Sequence, residues 1–216
     1  MVKRILGMMK EIQVICFYWQ GDRWQQEGYE NPVGHVNLQQ VHMDRAGRIS
    51  NDLPARYVNN LYRGVKRFAS RKFKFICFTN EPMKVDQDIE LREFPLVTKN
   101  GVLPRIYMFS EESGLFGKQV LCLDLDIVIV GSLEKIMAYE GLFCARSKFK
   151  PGEEYKLDGD IMSFQAGKVA ERVFWTPFIS DVKRAEAQTH GRERYWVRQV
   201  ADDIADDNAD HEDDRE

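Results

Sequence analysis

The sequence predicts an α/β fold, a mostly parallel β-sheet flanked by helices, and three observations support that prediction. Residues 12–19, IQVICFYW, and residues 73–79, FKFICFT, are β-branched and aromatic runs typical of strands. Between them, apolar residues recur at helical spacing from Tyr57 to Phe68. Residues 120–123, VLCL, are apolar throughout, as in a strand buried on both faces. A strand, helix and strand in this order form the right-handed unit from which parallel sheets are built.

Length and composition predict a single domain over residues 1–200, followed by an acidic tail over residues 201–216. The tail, ADDIADDNADHEDDRE, has almost no apolar residues, so we expect it to be disordered. The formal net charge of −3 gives no general attraction to nucleic acid. No apolar stretch is long enough to span a bilayer or to form the core of a signal peptide.

Four cysteines lie inside apolar, strand-like runs, and no two of them have the spacing of zinc ligands. They are Cys16, Cys77, Cys122 and Cys144. We interpret them as buried free thiols, which favours a reducing compartment and predicts a cytoplasmic protein.

The first strand ends in the aromatic residues Phe17, Tyr18 and Trp19. They can either pack in the core or form a platform on which a nucleotide base stacks at the carboxyl edge of the sheet. The polar segment 20–52 that follows is a long loop, and such loops often form lids.

The helix before the second strand is expected to be capped by Asn51 or Asp52, with Pro54 in its first turn. A basic cluster on and after it is interpreted as a solvated face; its members are Arg63, Lys66, Arg67, Arg71 and Lys72.

The remaining elements follow from apolar spacing and turn residues. Short strands are expected at 89–94, 141–145 and 161–164, and helical segments at 104–110, 132–137, 169–182 and 195–200. Residues 148–160 between the last two strands are expected to form a charged loop.

Asp124 and Asp126 directly follow the most hydrophobic strand of the chain. Burying unpaired carboxylates is costly, so both are expected at the carboxyl edge of the sheet, where they face water, a ligand or a cation. A divalent metal is the simplest explanation. Two other Asp-x-Asp sequences have a different context, since Asp86 and Asp88 lie in a polar stretch that we interpret as solvated loop.

The third such sequence, Asp158-Gly159-Asp160, immediately precedes the predicted strand at 161–164. The carboxylate of Asp160 could therefore point into the same cleft as Asp126. The alternative is an ordinary Asp-Gly-Asp turn.

Taken together, these segments make the chain resemble bacterial and phage glycosyltransferases related to glycosyltransferase family 8, from about residue 12 to about residue 200. The most specific part is Leu121 to Leu133, in which a hydrophobic strand, the D-x-D motif, an apolar run and Gly-Ser-Leu follow each other. The resemblance implies the GT-A fold, which is Rossmann-like. It also implies transfer of a sugar from a nucleotide-sugar donor, commonly a UDP-sugar, to a glycan or other hydroxyl acceptor, with Mn²⁺ or Mg²⁺ as cofactor.

The resemblance also assigns roles to individual residues. Asp126 would be the direct metal ligand, and Asp124 would reach the metal or the ribose hydroxyls. The aromatic residues that end the first strand, Phe17, Tyr18 and Trp19, would hold the base. Arg105 would bind a phosphate oxygen, for which its planar guanidinium is suited.

Two further acidic residues become catalytic candidates by the same resemblance. Asp160 lies where the family usually has an Asn before a strand, and Glu193, in GRERYW, lies near the place of an acidic residue close to the acceptor. Relatives often supply a third metal ligand, a His, from a later segment, and at that point this chain is acidic.

Two other functions remain open on the sequence. LCLDLDIVIV also matches the opening motif of haloacid-dehalogenase-like phosphatases, although that motif normally begins the fold and here follows more than half of the chain. A catalytically degenerate nucleotide-sugar-binding protein is the non-enzymatic alternative.

Overall fold

The computed structural model describes residues 11–19, 53–98, 103–148, 156–189, 196–198 and 200. Six strands form one sheet: β1 Ile12–Tyr18, β2 Phe73–Thr79, β3 Ile89–Arg92, β4 Gln119–Leu123, β5 Phe143–Lys148 and β6 Lys156–Gln165. They are arranged in the order β3-β2-β1-β4-β6-β5. The pairs β1–β2, β2–β3 and β1–β4 are parallel, whereas β6 runs antiparallel to both of its neighbours. The predicted α/β fold with a mostly parallel sheet is confirmed.

The chain changes direction across the sheet between β1 and β4. From β1 it adds β2 and then β3 on one side, and β4 is added on the other side of β1. In an open α/β sheet, this reversal leaves a crevice at the carboxyl ends of the two strands, and ligands bind there.

Helix α1, Leu53–Phe68, covers one face of the sheet. Its apolar side chains Val58, Leu61 and Val65 are buried against the strands, because they recur at helical spacing. The predicted helix and the position of Pro54 in its first turn are confirmed. The expected caps at 51 and 52 lie outside the described residues.

The segment after β4 returns along the same face of the sheet. Ile129 lies against Gly64 of α1, and the amide of Leu133 donates to the carbonyl of Phe68 at 3.2 Å. The short helix α2, Glu134–Met137, follows, and the hydroxyl of Ser132 accepts from the amide of Glu134 at 3.2 Å.

The opposite face of the sheet is covered by a 3₁₀-helix, Leu103–Phe109, all of whose residues are buried. Pro104 begins a helix, as the sequence predicts, but the helix has 3₁₀ geometry. A second 3₁₀-turn, Glu111–Ser113, ends at Gly114, whose φ of 70° is one that glycine adopts without strain. This layer brings Arg105 beneath the end of β4.

The C-terminal helices complete the same face: α3 Lys168–Ala170, a π-helical turn Glu171–Trp175, α4 Thr176–Ser180 and α5 Val182–Thr189. The helical pattern predicted for 169–182 is therefore confirmed. Pro177 has no N–H to continue an α-helix, and the π turn directly precedes its helix. The indole N–H of Trp196 donates to the carbonyl of Phe174 at 2.9 Å, which ties the last described segment to this layer.

Asp86 and Asp88 lie in a loop before β3 and are accessible to solvent, as predicted. They also bind α1: Arg63 donates twice to Asp86 at 2.9 Å, and the hydroxyl of Tyr62 donates to Asp88 at 2.7 Å. Two members of the basic cluster, Arg63 and Lys66, are thus exposed and paired. The predicted loop at 148–160 is partly wrong, since its second part, from 156, belongs to β6.

All four cysteines are free thiols on strands. Cys16, Cys77 and Cys122 are buried, as predicted, and Cys144 is partly buried. Within the described ranges, no helix has the length and hydrophobicity needed to cross a membrane.

Candidate functional site

The predicted carboxylates lie at the carboxyl end of β4, beside the crevice between β1 and β4. β4 ends at Leu123, and Asp124 to Asp126 form a turn directly after it. The side chain of Asp124 is 29% exposed, and Asp126 is exposed. No described residue donates a hydrogen bond or forms an ion pair with the carboxylate of Asp126, so this group is available to a ligand.

Arg105, on the buried 3₁₀-helix, binds Asp124. Its side chain is only 4% exposed and forms an ion pair with the Asp124 carboxylate. It also donates to the carbonyl of Gly159 at 3.1 Å and to the thiol sulfur of Cys122 at 3.2 Å. A buried guanidinium enclosed by protein acceptors is poorly placed to bind a substrate phosphate. In this structure the ionic partner of Arg105 is Asp124, and its contact with a phosphate oxygen stays a prediction.

Asp160 lies within β6, next to the end of β4. The amide of Asp124 donates to the carbonyl of Asp160 at 2.9 Å, which continues the β4–β6 ladder by one residue. The Asp-Gly-Asp turn is thus not formed. Asp160 and the end of β4 thus share one edge of the sheet, and the Asp160 side chain is 37% exposed there.

The structure adds Arg146 on β5 to this group. Its guanidinium lies 3.2 Å from the Asp160 carboxylate and is 47% exposed. The pairing of β5 with β6 passes from Ala145–Met162 to Arg146–Asp158, so residues 159–161 have no partner on β5. Nothing in the stretch FCARSK distinguishes Arg146 from other charged residues of the sequence. Only the irregular pairing of two strands brings it to Asp160.

The aromatic residues at the end of β1 separate into two groups. Phe17 is a core residue, because it is 7% exposed and its ring stacks on Phe78 at 4.9 Å. Its predicted place in a base platform is therefore not supported. Trp19 is partly buried and packs edge-on against Phe94, and Tyr18 is partly buried on the opposite face. These two residues remain candidates for contact with a base.

Burial raises the pKa of the Tyr18 hydroxyl, and the nearby negative charge of Glu81 raises it further. Tyr18 therefore stays neutral and can donate a hydrogen bond at physiological pH. Burial also raises the pKa of the Cys16 thiol well above its ordinary value, and Cys77 adds to the effect. Cys16 is consequently a protonated core residue rather than a nucleophile.

The described residues contain no group of three or more His, Cys, Asp or Glu side chains that could enclose a metal. Two carboxylates at an edge nevertheless fit the way in which Mg²⁺ is commonly held, by one or two carboxylates together with substrate phosphates. Carboxylate oxygens also suit Mn²⁺. Asp126, exposed and without a described partner, fits the role of direct ligand, whereas Asp124 is already paired with Arg105.

Some predicted site features lie outside the described residues. These are the catalytic candidate Glu193, the proposed lid within 20–52 and the acidic tail at 201–216.

Comparison with known proteins gave structural relatives only. No protein-family model matches the chain, and no curated protein matches its sequence. The glycosyltransferase GlyE of Streptococcus pneumoniae TIGR4 superimposes with a TM-score of 0.54 at 10% identity, covering 88% of this chain and 43% of GlyE. The apo form of GlyE gives 0.53 and 12%, covering 92% and 44%. The chain thus spans less than half of the length of these structures, and it has a fold that a glycosyltransferase also adopts.

Proposed function

We propose that this protein is a metal-dependent glycosyltransferase that transfers a sugar from a nucleotide-sugar donor, a UDP-sugar, to a hydroxyl acceptor. The observation that carries the proposal is the position of Asp124 and Asp126 at the carboxyl end of β4, beside the crevice between β1 and β4. Ligands bind at this point in open α/β sheets. The likeness to GlyE supports the same conclusion at the level of the fold.

The order of the strands suggests how a donor would lie. Tyr18 ends β1 and Trp19 directly follows it, and both offer aromatic surface to the base. Asp124 and Asp126 end the neighbouring strand, so the diphosphate belongs there. Asp160, one strand further along the sheet, then lies towards the transferred sugar.

Each described side chain has a distinct task in this arrangement. Asp126 provides the carboxylate that holds Mn²⁺ or Mg²⁺, and the cation supplies Lewis-acid stabilisation of the leaving diphosphate. Arg105 fixes the carboxylate of Asp124 by an ion pair, so that its orientation does not depend on substrate. The Asp160 carboxylate can stabilise positive charge that develops on the sugar ring during transfer.

The decisive experiment measures nucleoside diphosphate release from a panel of UDP-sugars, with Mn²⁺, with Mg²⁺ and with EDTA. We expect slow release without acceptor, because the leaving group is stabilised whether water or a sugar hydroxyl attacks. Release should require the metal and should be lost in Asp126→Asn and Asp124→Ala, with circular dichroism showing that both variants fold. Asp86→Asn is a matched control, because it alters an Asp-x-Asp sequence that binds α1 instead.

The same assay separates the alternatives. Phosphate release from simple phosphomonoesters, with beryllofluoride trapping at Asp124, would indicate a haloacid-dehalogenase-like phosphatase. Metal-dependent UDP-sugar binding without turnover would indicate the degenerate binding protein. The absence of both binding and nucleoside diphosphate release, with every UDP-sugar tested, would refute the proposal.

A further inference from the structure

Strands β5 and β6 extend beyond the end of β4, beside the candidate site. β4 ends at Leu123, which pairs with Ile161, but β6 continues beyond that point to Lys156. Its last residues pair with Arg146 to Lys148 of β5. The β5–β6 pair therefore projects past the end of β4, on the side away from β1.

Arg146 and Asp160 lie where the β5–β6 pair passes the end of β4. The pairing of β5 with β6 is irregular between Ala145 and Arg146, and such irregularities in a ladder change the direction in which side chains point. Both side chains are partly exposed, 47% for Arg146 and 37% for Asp160, and they are 3.2 Å apart. The guanidinium of Arg146 thus offers planar N–H donors, and the carboxylate of Asp160 offers acceptors, in the same part of the site.

The strand order predicts which part of a bound donor would lie near Arg146 and Asp160. Adjacent strands lie about 4.8 Å apart, so β6 and β5 are about 5 and 10 Å beyond β4. A donor whose base lies at β1 and whose diphosphate lies at β4 would place its sugar over β6, within reach of a long side chain from β5. Arg105 cannot serve this region, because its side chain is 4% exposed.

We propose that Arg146, together with Asp160, recognises adjacent hydroxyl groups of the transferred sugar and so determines which sugar the site accepts. The inference rests on the proposed function. The guanidinium donates to sugar oxygens, and the carboxylate accepts from the neighbouring hydroxyl. Because Asp160 already balances the charge of Arg146, the pair suits a neutral, hydroxyl-rich ligand better than a second phosphate.

The test compares the affinities of UDP and of UDP-hexoses in Arg146→Gln, by calorimetric titration at fixed Mn²⁺. UDP lacks the sugar, so its affinity should stay within about twofold of the wild-type value. The affinity for the UDP-hexose that binds the wild type best should fall about tenfold or more, the effect of losing hydrogen bonds from a charged donor. Arg146→Lys, which keeps the charge but loses the planar donor geometry, should fall between the two.

Arg63→Gln is the matched control. Arg63 is also an exposed arginine paired with an aspartate, Asp86, but it lies on α1 rather than at the site. Its replacement should leave both affinities unchanged. Circular dichroism should confirm that all of these variants fold.

The outcomes are distinct. Equal losses of UDP and UDP-hexose affinity in Arg146→Gln would place the side chain at the diphosphate and overturn the inference. Unchanged affinity for both ligands would show that the pair only supports the strands, which would overturn it as well. If the wild-type protein binds neither UDP nor any UDP-hexose, the proposed function itself fails, and the inference fails with it.

Discussion

Arg105 shows how a single buried residue can organise a site at the edge of a sheet. It joins Asp124 at the end of β4 to Gly159 on β6, and its side chain is almost completely enclosed. The ion pair compensates the charge of both partners, and the hydrogen bonds to Gly159 and Cys122 occupy further donors of the guanidinium. The free energy of unfolding should therefore depend strongly on Arg105.

We expect Arg105→Met to lower the free energy of unfolding by about 3 kcal/mol, because removal of one partner leaves a poorly solvated charge on Asp124. Urea denaturation monitored by circular dichroism measures this change. Arg63→Met, at an exposed ion pair, should change stability little. A loss below about 1 kcal/mol in Arg105→Met would show that the pair behaves like a surface ion pair.

At the scale of elements, α1 packs on the sheet and also forms hydrogen bonds with the segment that precedes β3. Arg63 binds Asp86, and Asn59 accepts from the amide of Asp86 at 2.8 Å. Asp88 accepts from both Tyr62 and Lys66. Hydrogen bonding by the Tyr62 hydroxyl, and then by the Lys66 ammonium, holds the pKa of the Asp88 carboxyl below its ordinary value.

This lowered pKa predicts a pH dependence of stability. The contact stabilises the folded protein above the ordinary carboxyl pKa of about 4, and its contribution is lost as the pH falls through the lower pKa of the folded state. Tyr62→Phe should therefore lower the Tm at pH 7, and the difference from wild type should shrink as the pH approaches about 2.5.

Thermal unfolding at several pH values between these limits measures the effect. Tyr57→Phe is the control, since Tyr57 lies on the same helix and its hydroxyl bonds to no described residue. A Tm difference that stays constant across the whole range would mean that the ionised Asp88 carboxylate is not involved.

At the scale of the whole molecule, the topology creates the crevice that the carboxylates line. β1 is central, β4 lies beside it, and the chain crosses from one side of β1 to the other between β3 and β4. Both faces of the sheet are covered, by α1 on one and by the 3₁₀-helix and the C-terminal helices on the other. Within the described ranges, the carboxyl edge presents the partly exposed Asp124 and the exposed Asp126 to a ligand.

Ligand binding at this edge should stabilise the entire fold. UDP with Mn²⁺ should raise the Tm, since a ligand present at 100 times its Kd adds about 2.7 kcal/mol to the free energy of unfolding. Differential scanning fluorimetry with and without EDTA measures the shift, which should disappear with EDTA and in Asp126→Asn. A shift of the same size in EDTA would contradict the predicted role of the metal in binding.

The sequence by itself determined the sheet, α1 and the position of Asp124 and Asp126. Local patterns carry that information: a continuous apolar run specifies a buried strand, and charge directly after it must lie at the edge. The sequence did not separate Phe17 from Tyr18 and Trp19, because burial at the end of a strand depends on what packs over it. Phe78 and Phe94 do so here.

Only the tertiary structure decided the contacts between distant segments. Arg105 is 19 residues from Asp124, and Arg146 is 14 residues from Asp160, so no local pattern relates them. β6 extends through Asp158-Gly159-Asp160, although these residues favour a turn, because Asp158 pairs with Arg146 of β5 and the carbonyl of Asp160 accepts from the amide of Asp124. Ladder pairing overrides turn propensity there, and it brings Asp160 and Arg146 beside the end of β4.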